Sequence, residues 1–388
     1  MRTLFREVIH MKDLMVKAER ISEYIQDLLD EDQTVGVSVC IVEGSSTIYS
    51  QGFGLAQLWP VPRAMTPDTI MSIQSVSKNF MAVSILQLVE KGQLQLDSPL
   101  STYLPYFRTT DKEQSDKITI RHILSHTAGF PADLGIANMI APNVREIFSD
   151  TPDEFQEALN HYGLTEHELK NIKKREDVTK WFKKVELETE PGKQWEYCTD
   201  GYVLLADVFE KITGQTWERH LTEHILTEIG MDRTTADADY TQNDADSSRY
   251  FMGPQRKETP FPINPIAAPI GFLYSTANNL GKYLAFHLSG KPSVLSMSSV
   301  EEMQMPISRV SSDWYPAGWK YGLGWFTGTY KNETIIEHGG GQMAVRALIS
   351  LVPRRKLGIV VLMNTDSSLH RKINRKIMDI LFEEVISP

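Results

Sequence analysis

The sequence predicts an α+β protein in which a helical lobe is inserted between two parts of an antiparallel sheet. Apolar runs rich in β-branched residues occur near both ends of the 388-residue chain, at residues 35–42, 347–352 and 357–362. Between residues 97 and 229 the patterns are helical and such runs are rare. Because sheet and helical segments are segregated along the chain, the two chain ends are expected to share one sheet.

The length and composition indicate two lobes with an ample core. Hydrophobic residues make up 41% of the chain and charged residues 23%, which is ordinary for a globular protein. We assign residues 1–105 and 255–388 to the lobe that carries the sheet, and residues 106–254 to the helical lobe.

The net charge argues against a nucleic-acid partner. Lys and Arg total 40 against 50 Asp and Glu, for a formal net charge of −10. The chain therefore lacks the excess of basic residues that is typical of general nucleic-acid-binding proteins. Cys40 and Cys198, the two cysteines, cannot form a disulfide scaffold or a Cys-rich zinc site. We expect no metal and no cofactor.

The N-terminal region lacks the pattern of a secretion signal. Charged residues interrupt every apolar run in residues 1–20, and the best apolar run elsewhere, residues 357–363, has the length of one strand. We expect no membrane span and a cytoplasmic protein. If a leader was removed from the natural chain, the expected location is secreted or periplasmic.

The first third of the chain begins with a helix and a hairpin. Apolar residues recur at helical spacing within residues 14–30, and the turn at residues 43–46 joins the run at 35–42 to a second strand through Ile48 and Tyr49. A largely apolar helix follows over residues 75–91, with Gly92 as its C-cap.

The rest of the chain passes from charged helices back to strands. Residues 153–184 are dense in charge and predict solvated helical faces. Strand patterns return at residues 335–336, 347–352 and 357–362, and a final helix is predicted over residues 368–385.

One tetrad has the spacing of a catalytic motif. The sequence contains no Walker A pattern, no G-x-G-x-x-G, no G-x-S-x-G and no H-E-x-x-H. Ser75 and Lys78 form an S-x-x-K tetrad at the start of a helix, where residues three apart share one face. A lysine amine whose pKa is lowered by burial can take the proton from a serine hydroxyl and make it a nucleophile.

Two further segments carry groups that suit the same chemistry. Tyr197 could act as a general base or proton relay if a nearby ammonium lowers the pKa of its phenol. Residues 338–341 read His-Gly-Gly-Gly before a strand, where the glycines let a substrate carbonyl approach a backbone N–H.

These segments resemble, in order, those of the serine β-lactamase-like hydrolases, specifically the branch of class C β-lactamases, D-stereospecific peptidases and esterases with penicillin-binding-protein-like members. The resemblance covers roughly residues 20–385. The segments that carry it are residues 73–78, 92–99, 123–131, 191–202, 271–277, 321–325 and 338–353.

The resemblance implies roles for individual residues. It implies a cleft between the two lobes as the active site, Ser75 as nucleophile, Lys78 as its partner and Tyr197 as general base. The backbone N–H groups of Ser75 and Gly341 would form the oxyanion hole. The expected substrate-binding residues are Thr199, His338, Gly339 and Gly340.

The departures from the family pattern shape the expected substrate. Thr199 stands where the family has an asparagine, and His338 stands where β-lactamases have a lysine. Histidine carries less charge than lysine at pH 7, so β-lactam recognition should be weaker. We expect an acyl-enzyme hydrolase of small-molecule esters, amides or D-amino-acid-containing peptides. Three alternatives remain: an acyltransferase, a true β-lactamase or penicillin-binding protein, and a catalytically inactive binding protein. The sequence does not indicate the oligomeric state.

The stretch between residues 132 and 187 is longer than in compact relatives. Its first part is apolar with Gly and Pro, and its second part is charged and helical. We expect it to overhang the cleft as a substrate-selecting cover.

Overall fold

The secondary structure is described by a computed structural model that covers residues 2–383, with side chains from residue 12 onward. In chain order the helices are α1 (Arg2–Glu31), α2 (Ser77–Glu90), α3 (Leu100–Tyr103), α4 (Lys112–Ser115), α5 (Ile120–Leu124), α6 (Ile136–Met139), α7 (Val144–Ile147), α8 (Pro152–His161), α9 (Glu166–Asn171), α10 (Arg175–Trp181), α11 (Gly201–Thr213), α12 (Trp217–Leu221), α13 (Thr227–Ile229), α14 (Ala238–Asn243), α15 (Ala268–Gly271), α16 (Ala277–Ser289), α17 (Met297–Gln304) and α18 (Leu369–Phe382). The strands are β1 (Gly36–Glu43), β2 (Ser46–Gln57), β3 (Arg63–Ala64), β4 (Met71–Ser72), β5 (Phe251–Met252), β6 (Lys257–Glu258), β7 (Tyr274–Ser275), β8 (Ser308–Arg309), β9 (Lys320–Tyr321), β10 (Phe326–Tyr330), β11 (Glu333–Gln342), β12 (Val345–Val352) and β13 (Leu357–Met363).

One antiparallel sheet unites the two ends of the chain. Among the residues described, its nine strands run in the order β3-β2-β1-β13-β12-β11-β10-β9-β8. The N-terminal strand β1 pairs with the C-terminal strand β13, with Val39 opposite Val361. The predicted α+β class, with a sheet built from both chain ends and helices inserted between them, is confirmed.

The sheet is covered by helices on both faces. Alternate residues of a strand point to opposite faces, so Cys40 and Val360 join a core with α2 and α16. Val39 and Val361 join a second core, which packs against α1 and α18. Burial on both faces explains why β1 and β13 read as continuous apolar runs rather than alternating ones.

The helices between β4 and β5 form the inserted part of the fold. Its centre is α2, which is buried along nearly its whole length, and the apolar helix α11, which packs against it. The exact lobe boundaries at residues 105, 106, 254 and 255 stay a prediction. Within residues 2–383, no helix combines the length and apolar character needed to cross a bilayer.

Three local predictions need correction. Residue 75 lies in a 3₁₀ turn, Gln74–Val76, and α2 begins only at Ser77. Residues 338–341 lie inside β11 rather than before a strand. The last helix ends at Phe382, and the predicted end at residue 385 lies outside the described residues.

Arg175 ties the inserted helices to the loop before α15. Its buried guanidinium, on α10, pairs with Glu210 of α11 and Glu218 of α12. It also donates to the carbonyl oxygens of Ile266 at 3.0 Å and Pro265 at 3.1 Å. This one side chain therefore connects three helices with the segment that leads to the candidate site.

Replacing Arg175 by Met should lower the free energy of unfolding by about 3 kcal/mol, because two partly buried carboxylates and two carbonyls lose their partner. Urea denaturation measures the change. Arg219→Met is the matched control, since Arg219 makes an exposed pair with Glu223 on the helix surface. That control should change the free energy by less than about 0.5 kcal/mol. Equal losses in the two variants would contradict the role of Arg175.

Candidate active site

Ser75 lies on a constrained turn between β4 and α2. The preceding residue, Gln74, has a φ of +46°, in the left-handed region that residues other than glycine rarely adopt. The amide of Gln74 donates to the hydroxyl of Ser72 at 2.9 Å, which helps to hold that conformation. The turn therefore presents the Ser75 hydroxyl in a defined position at the edge of the sheet.

The glycines of β11 allow the sheet to approach this turn. A β-carbon on Gly340 would lie 2.3 Å from the carbonyl oxygen of Ile73 and 3.0 Å from the backbone nitrogen of Ser75. Only a residue without a side chain fits there. The next residue, Gly341, is exposed at the cleft, so its backbone and that of Ser75 lie on neighbouring segments.

Lys78 is fully buried beneath the serine. Its amine is 3.1 Å from Ser75 Oγ and 2.8 Å from the carbonyl oxygen of Ile270. Burial lowers the pKa of the Lys78 amine to about 7, and the carboxylate of Asp200 opposes the shift only in part. A neutral amine here can donate to Ile270 and accept the proton of the Ser75 hydroxyl.

Tyr197 places a phenol on the other side of the serine. It lines the same cleft as Ser75, and its ring centroid is 5.0 Å from the Lys78 amine. Burial raises the pKa of the Tyr197 phenol, so the condition named above for a general base, a pKa lowered by a nearby ammonium, is not met, and its role as general base stays a prediction. The phenol stays neutral at pH 7, and Lys78 is the better proton acceptor of the two.

A buried histidine supports the phenol ring. His126 packs against Tyr197 with ring centroids 4.1 Å apart and ring planes inclined by 35°. Burial and the charge of Lys78 hold the pKa of His126 well below its usual value. His126 therefore contributes a neutral ring that packs against Tyr197.

His338 forms an uncharged wall of the cleft. Its Nδ1 is 2.8 Å from the carbonyl oxygen of Gly339, so Nδ1 carries the proton and donates it. Its Nε2 then accepts from the Tyr321 hydroxyl at 3.2 Å. Burial and the charge of Lys78 lower the pKa of His338 to about 3, so it carries no charge at pH 7.

Thr199 borders the cleft, and its neighbour Asp200 anchors a different segment. The buried Asp200 carboxylate accepts from the backbone N–H of Ala137 at 2.7 Å. It makes no side-chain cap for α11, contrary to what its position suggests. Burial raises the pKa of the Asp200 carboxyl to about 6.

A cleft of about 480 Å³ opens at the serine. Every predicted site residue except Lys78 lines this cleft: Ser75, Tyr197, Thr199, His338, Gly339, Gly340 and Gly341. Lys78 is buried beneath Ser75. Residues up to 266 positions apart in the sequence, from 75 to 341, thus meet at one place.

The cleft also contains residues that sequence reasoning missed. Trp314, which is 58% exposed, packs edge-on against Tyr197 with ring centroids 5.4 Å apart. Arg346 and Arg371 line the opposite wall, paired with Asp366 and with Glu337 respectively. Arg346 could have been noticed as a lone cation in the apolar strand β12, whereas no local pattern marks Arg371 or Trp314.

The start of the long inserted stretch borders the same site. A second cavity of about 620 Å³ shares Tyr197, Thr199 and Gly341 with the cleft. Ala132, Asp133 and Asn138 line this second cavity, whereas the charged helices α8, α9 and α10 supply none of its lining residues. The action of the stretch 132–187 as a substrate-selecting cover stays a prediction.

Among the described residues, no group of three or more His, Cys, Asp or Glu side chains could hold a metal ion.

The fold and the cleft define a protein of the β-lactamase and penicillin-binding-protein type. The family model described as "Beta-lactamase" matches residues 21–382, and the chain belongs to this family. The octameric penicillin-binding protein homologue from Pyrococcus abyssi superposes with a TM-score of 0.78 at 24% identity, over 94% of this chain and 77% of that one. A class C β-lactamase superposes with a TM-score of 0.74 at 17% identity, over 95% and 97% of the two chains.

Curated relatives are similar over most of this chain. Protein flp of Staphylococcus aureus strain MW2 is 25% identical over 357 residues, which are 92% of this chain and 64% of flp. The putative penicillin-binding protein PbpX of Bacillus subtilis strain 168 is 25% identical over 323 residues, 82% of this chain and 68% of PbpX. The chain thus spans less than two thirds of the length of flp.

The rate of Ser75 acylation should rise with pH and level off above about pH 7. Below that pH the Lys78 amine, with its pKa lowered to about 7, is protonated and cannot accept the serine proton. The rate should therefore fall about tenfold per pH unit on the acid side. Stopped-flow labelling with a fluorophosphonate between pH 5 and 10 measures the profile.

The variant Tyr197→Phe separates the two proton acceptors. If Lys78 accepts the proton, the variant keeps the inflection near pH 7 at a reduced rate. A wild-type rate that rises only above pH 9 would assign the base to the phenol instead, because burial raises the pKa of Tyr197.

Proposed function

We propose that this protein is a serine hydrolase that acts through an acyl-enzyme on carboxylic esters or amides, as an esterase or a D-amino-acid peptide hydrolase. The observation that carries the proposal is the buried Lys78 amine, 3.1 Å from Ser75 Oγ, at the floor of an open cleft. A serine with a neutral base in hydrogen-bond reach is an activated nucleophile.

The first step forms the acyl-enzyme. Ser75 Oγ attacks the substrate carbonyl carbon while Lys78 Nζ takes the hydroxyl proton. The carbonyl oxygen becomes an oxyanion, which the backbone N–H groups of Ser75 and Gly341 are proposed to bind. The close approach of Gly340 to the serine turn supports this pairing of donors.

The leaving group departs with a proton. The Lys78 ammonium supplies that proton, and the neutral Tyr197 phenol, which lines the cleft with Ser75, can pass it on to the leaving oxygen or nitrogen. Water then attacks the acyl-enzyme carbonyl, giving its proton to Lys78 and releasing the carboxylic acid. The Lys78 ammonium returns this proton to Ser75 Oγ, which restores the starting state of both groups.

The electrostatics of the cleft favour simple esters over β-lactams. His338 is neutral, so it offers no permanent charge to the carboxylate of a β-lactam. Arg346 and Arg371 line the cleft, but each is already paired with a carboxylate of the protein, Asp366 and Glu337. A β-lactam carboxylate would have to compete with those partners.

Ser75→Ala should abolish fluorophosphonate labelling and lower ester hydrolysis by about 10³-fold or more, because the attacking atom is removed. Intact-mass spectrometry and p-nitrophenyl acetate assays measure both effects. Ser45→Ala, in the exposed β1–β2 turn, is the matched control and should behave as wild type. Residual turnover within about tenfold of wild type would reject the assignment. A wild-type protein that is neither labelled nor active would support a binding function instead.

Hydrolysis of p-nitrophenyl acetate should exceed that of nitrocefin in kcat/KM, because the cleft lacks an unpaired cation for the β-lactam carboxylate. Arg371→Gln serves as a control. If nitrocefin uses Arg371, this variant lowers kcat/KM for nitrocefin more than for the acetate. A clear preference of wild type for nitrocefin would favour the β-lactamase alternative.

A further inference from the structure

A buried carboxylate lies near the proposed base and has no part in the steps above. Asp200, which is 2% exposed, stands in the sequence between Tyr197 and Tyr202, whose ring centroids are 5.0 and 5.8 Å from the Lys78 amine. It directly precedes α11, and α11 packs against α2, the helix that carries Lys78. Because burial disfavours an ionised carboxylate, a carboxylate at this depth is expected to have specific partners.

One backbone group holds the carboxylate in place. The N–H of Ala137, in α6, donates to Asp200 Oδ1 at 2.7 Å. The carbonyl oxygen of the same residue accepts from the side-chain amide of Asn264, which is 1% exposed. Ala137 is therefore held on both sides by buried side chains, so the carboxylate that binds it has a defined position.

The same anchor leads to the second partner of the Lys78 amine. Asn264 Oδ1 accepts from the backbone N–H of Ala267 at 3.2 Å, and the carbonyl oxygen of Ala267 accepts from the N–H of Ile270 at 3.0 Å. The carbonyl oxygen of Ile270 in turn accepts from Lys78 Nζ at 2.8 Å. A continuous set of hydrogen bonds thus connects the carboxylate of Asp200 with the amine of Lys78.

The buried rings and the thiol around this amine are neutral at pH 7. Burial lowers the pKa of the two histidines and raises the pKa of the three tyrosines and of the cysteine. These residues are His126, His338, Tyr197, Tyr202, Tyr321 and Cys198. None of them can supply a negative charge to an ammonium at residue 78.

Asp200 supplies such a charge from within the core. Burial raises the pKa of its carboxyl to about 6, so it is mostly ionised at pH 7. Asp133, on the inserted stretch, acts on the same carboxyl but is exposed, so solvent screens its charge. On the rim of the cleft, Arg371 is paired with Glu337. A buried charge acts beyond contact distance in the protein interior, and the Asp200 carboxylate accordingly raises the pKa of the Lys78 amine against the effect of burial.

We propose that Asp200 is a positioning residue for the acylation step: held by Ala137, its carboxylate stabilises the Lys78 ammonium that forms when the amine takes the proton of Ser75. The carboxylate gains and loses no proton in this step, since the proton passes from Ser75 Oγ to Lys78 Nζ. A counter-charge lowers the cost of placing an ammonium in the core. This inference rests on the proposed function, in which Lys78 is the base.

The variant Asp200→Asn removes the charge and keeps an oxygen that the Ala137 N–H can bind. Protein labelled with carbon-13 at lysine Cε is titrated by NMR between pH 5 and 10, and the Lys78 signal is assigned by its loss in Lys78→Met. The midpoint should move to lower pH, so that the neutral fraction at pH 6.5 rises at least about twofold. Fluorophosphonate labelling should show the same shift, with a plateau rate at least about threefold lower because the amine is a weaker base.

Asp207→Asn is the matched control. Asp207 lies on α11, is also 2% exposed, and accepts from Thr179 at 2.6 Å and from Tyr106 at 2.9 Å. It takes no part in the hydrogen bonds that lead to Lys78, so the midpoint and the plateau rate should match those of wild type. An equal shift in the two variants would overturn the inference, because the effect would not be specific to Asp200.

The NMR titration needs no turnover, so failure of the inference and failure of the proposed function can be told apart. An unchanged midpoint in folded Asp200→Asn would mean that the carboxylate serves the fold alone, and the inference would be rejected. Asp200→Ser, a smaller neutral acceptor, repeats the measurement if Asp200→Asn does not fold, and loss of folding in both variants would also reject it. A shifted midpoint in a protein that fluorophosphonate does not label would support the pairing of Asp200 with Lys78 and reject the proposed function.

Discussion

The burial of the Lys78 amine is the constraint on which the proposed chemistry of this protein depends. Lys78 lies in the core helix α2 with its amine held between Ser75 Oγ and the carbonyl oxygen of Ile270. Removing an ammonium from water favours its neutral form, and only a neutral amine can accept a proton from serine. The surrounding helices α11 and α15 exclude water from that amine, so the packing of the inserted helices sets the protonation state at the site.

The sheet contributes to the site mainly by positioning the backbone of β11 beside Ser75. Strand β11 approaches the serine turn so closely that Gly340 has no room for a side chain. That approach places consecutive glycines of the strand along one wall of the cleft, beside a serine from the other end of the chain. The register between β11 and β12, with Gly340 opposite Ala347, keeps the small residues at this point.

The rings around the serine are neutral, and the charges lie farther out. His126 and His338 are both buried with lowered pKa values, partly because Lys78 lies near them. The charged groups of the cleft are on its rim, where Arg371 is held by the buried carboxylate of Glu337. The rings next to Ser75 are thus neutral, and the two arginines that line the cleft are already paired with carboxylates.

The sequence by itself determined the architecture and most of the chemical groups. Elements that are buried in the core consist largely of apolar residues, and such runs are visible in the sequence. For this reason α2, β1 and β13 could be predicted. An ordered series of segments indicated Ser75, Lys78 and Tyr197, and their meeting at one site is what the structure adds. Only the tertiary structure decided the pKa of Lys78 and of Tyr197, because desolvation depends on every neighbour and has no local pattern. For the same reason the places of Trp314 and Arg371 in the cleft could not be predicted, because each depends on contacts between segments that are distant in sequence.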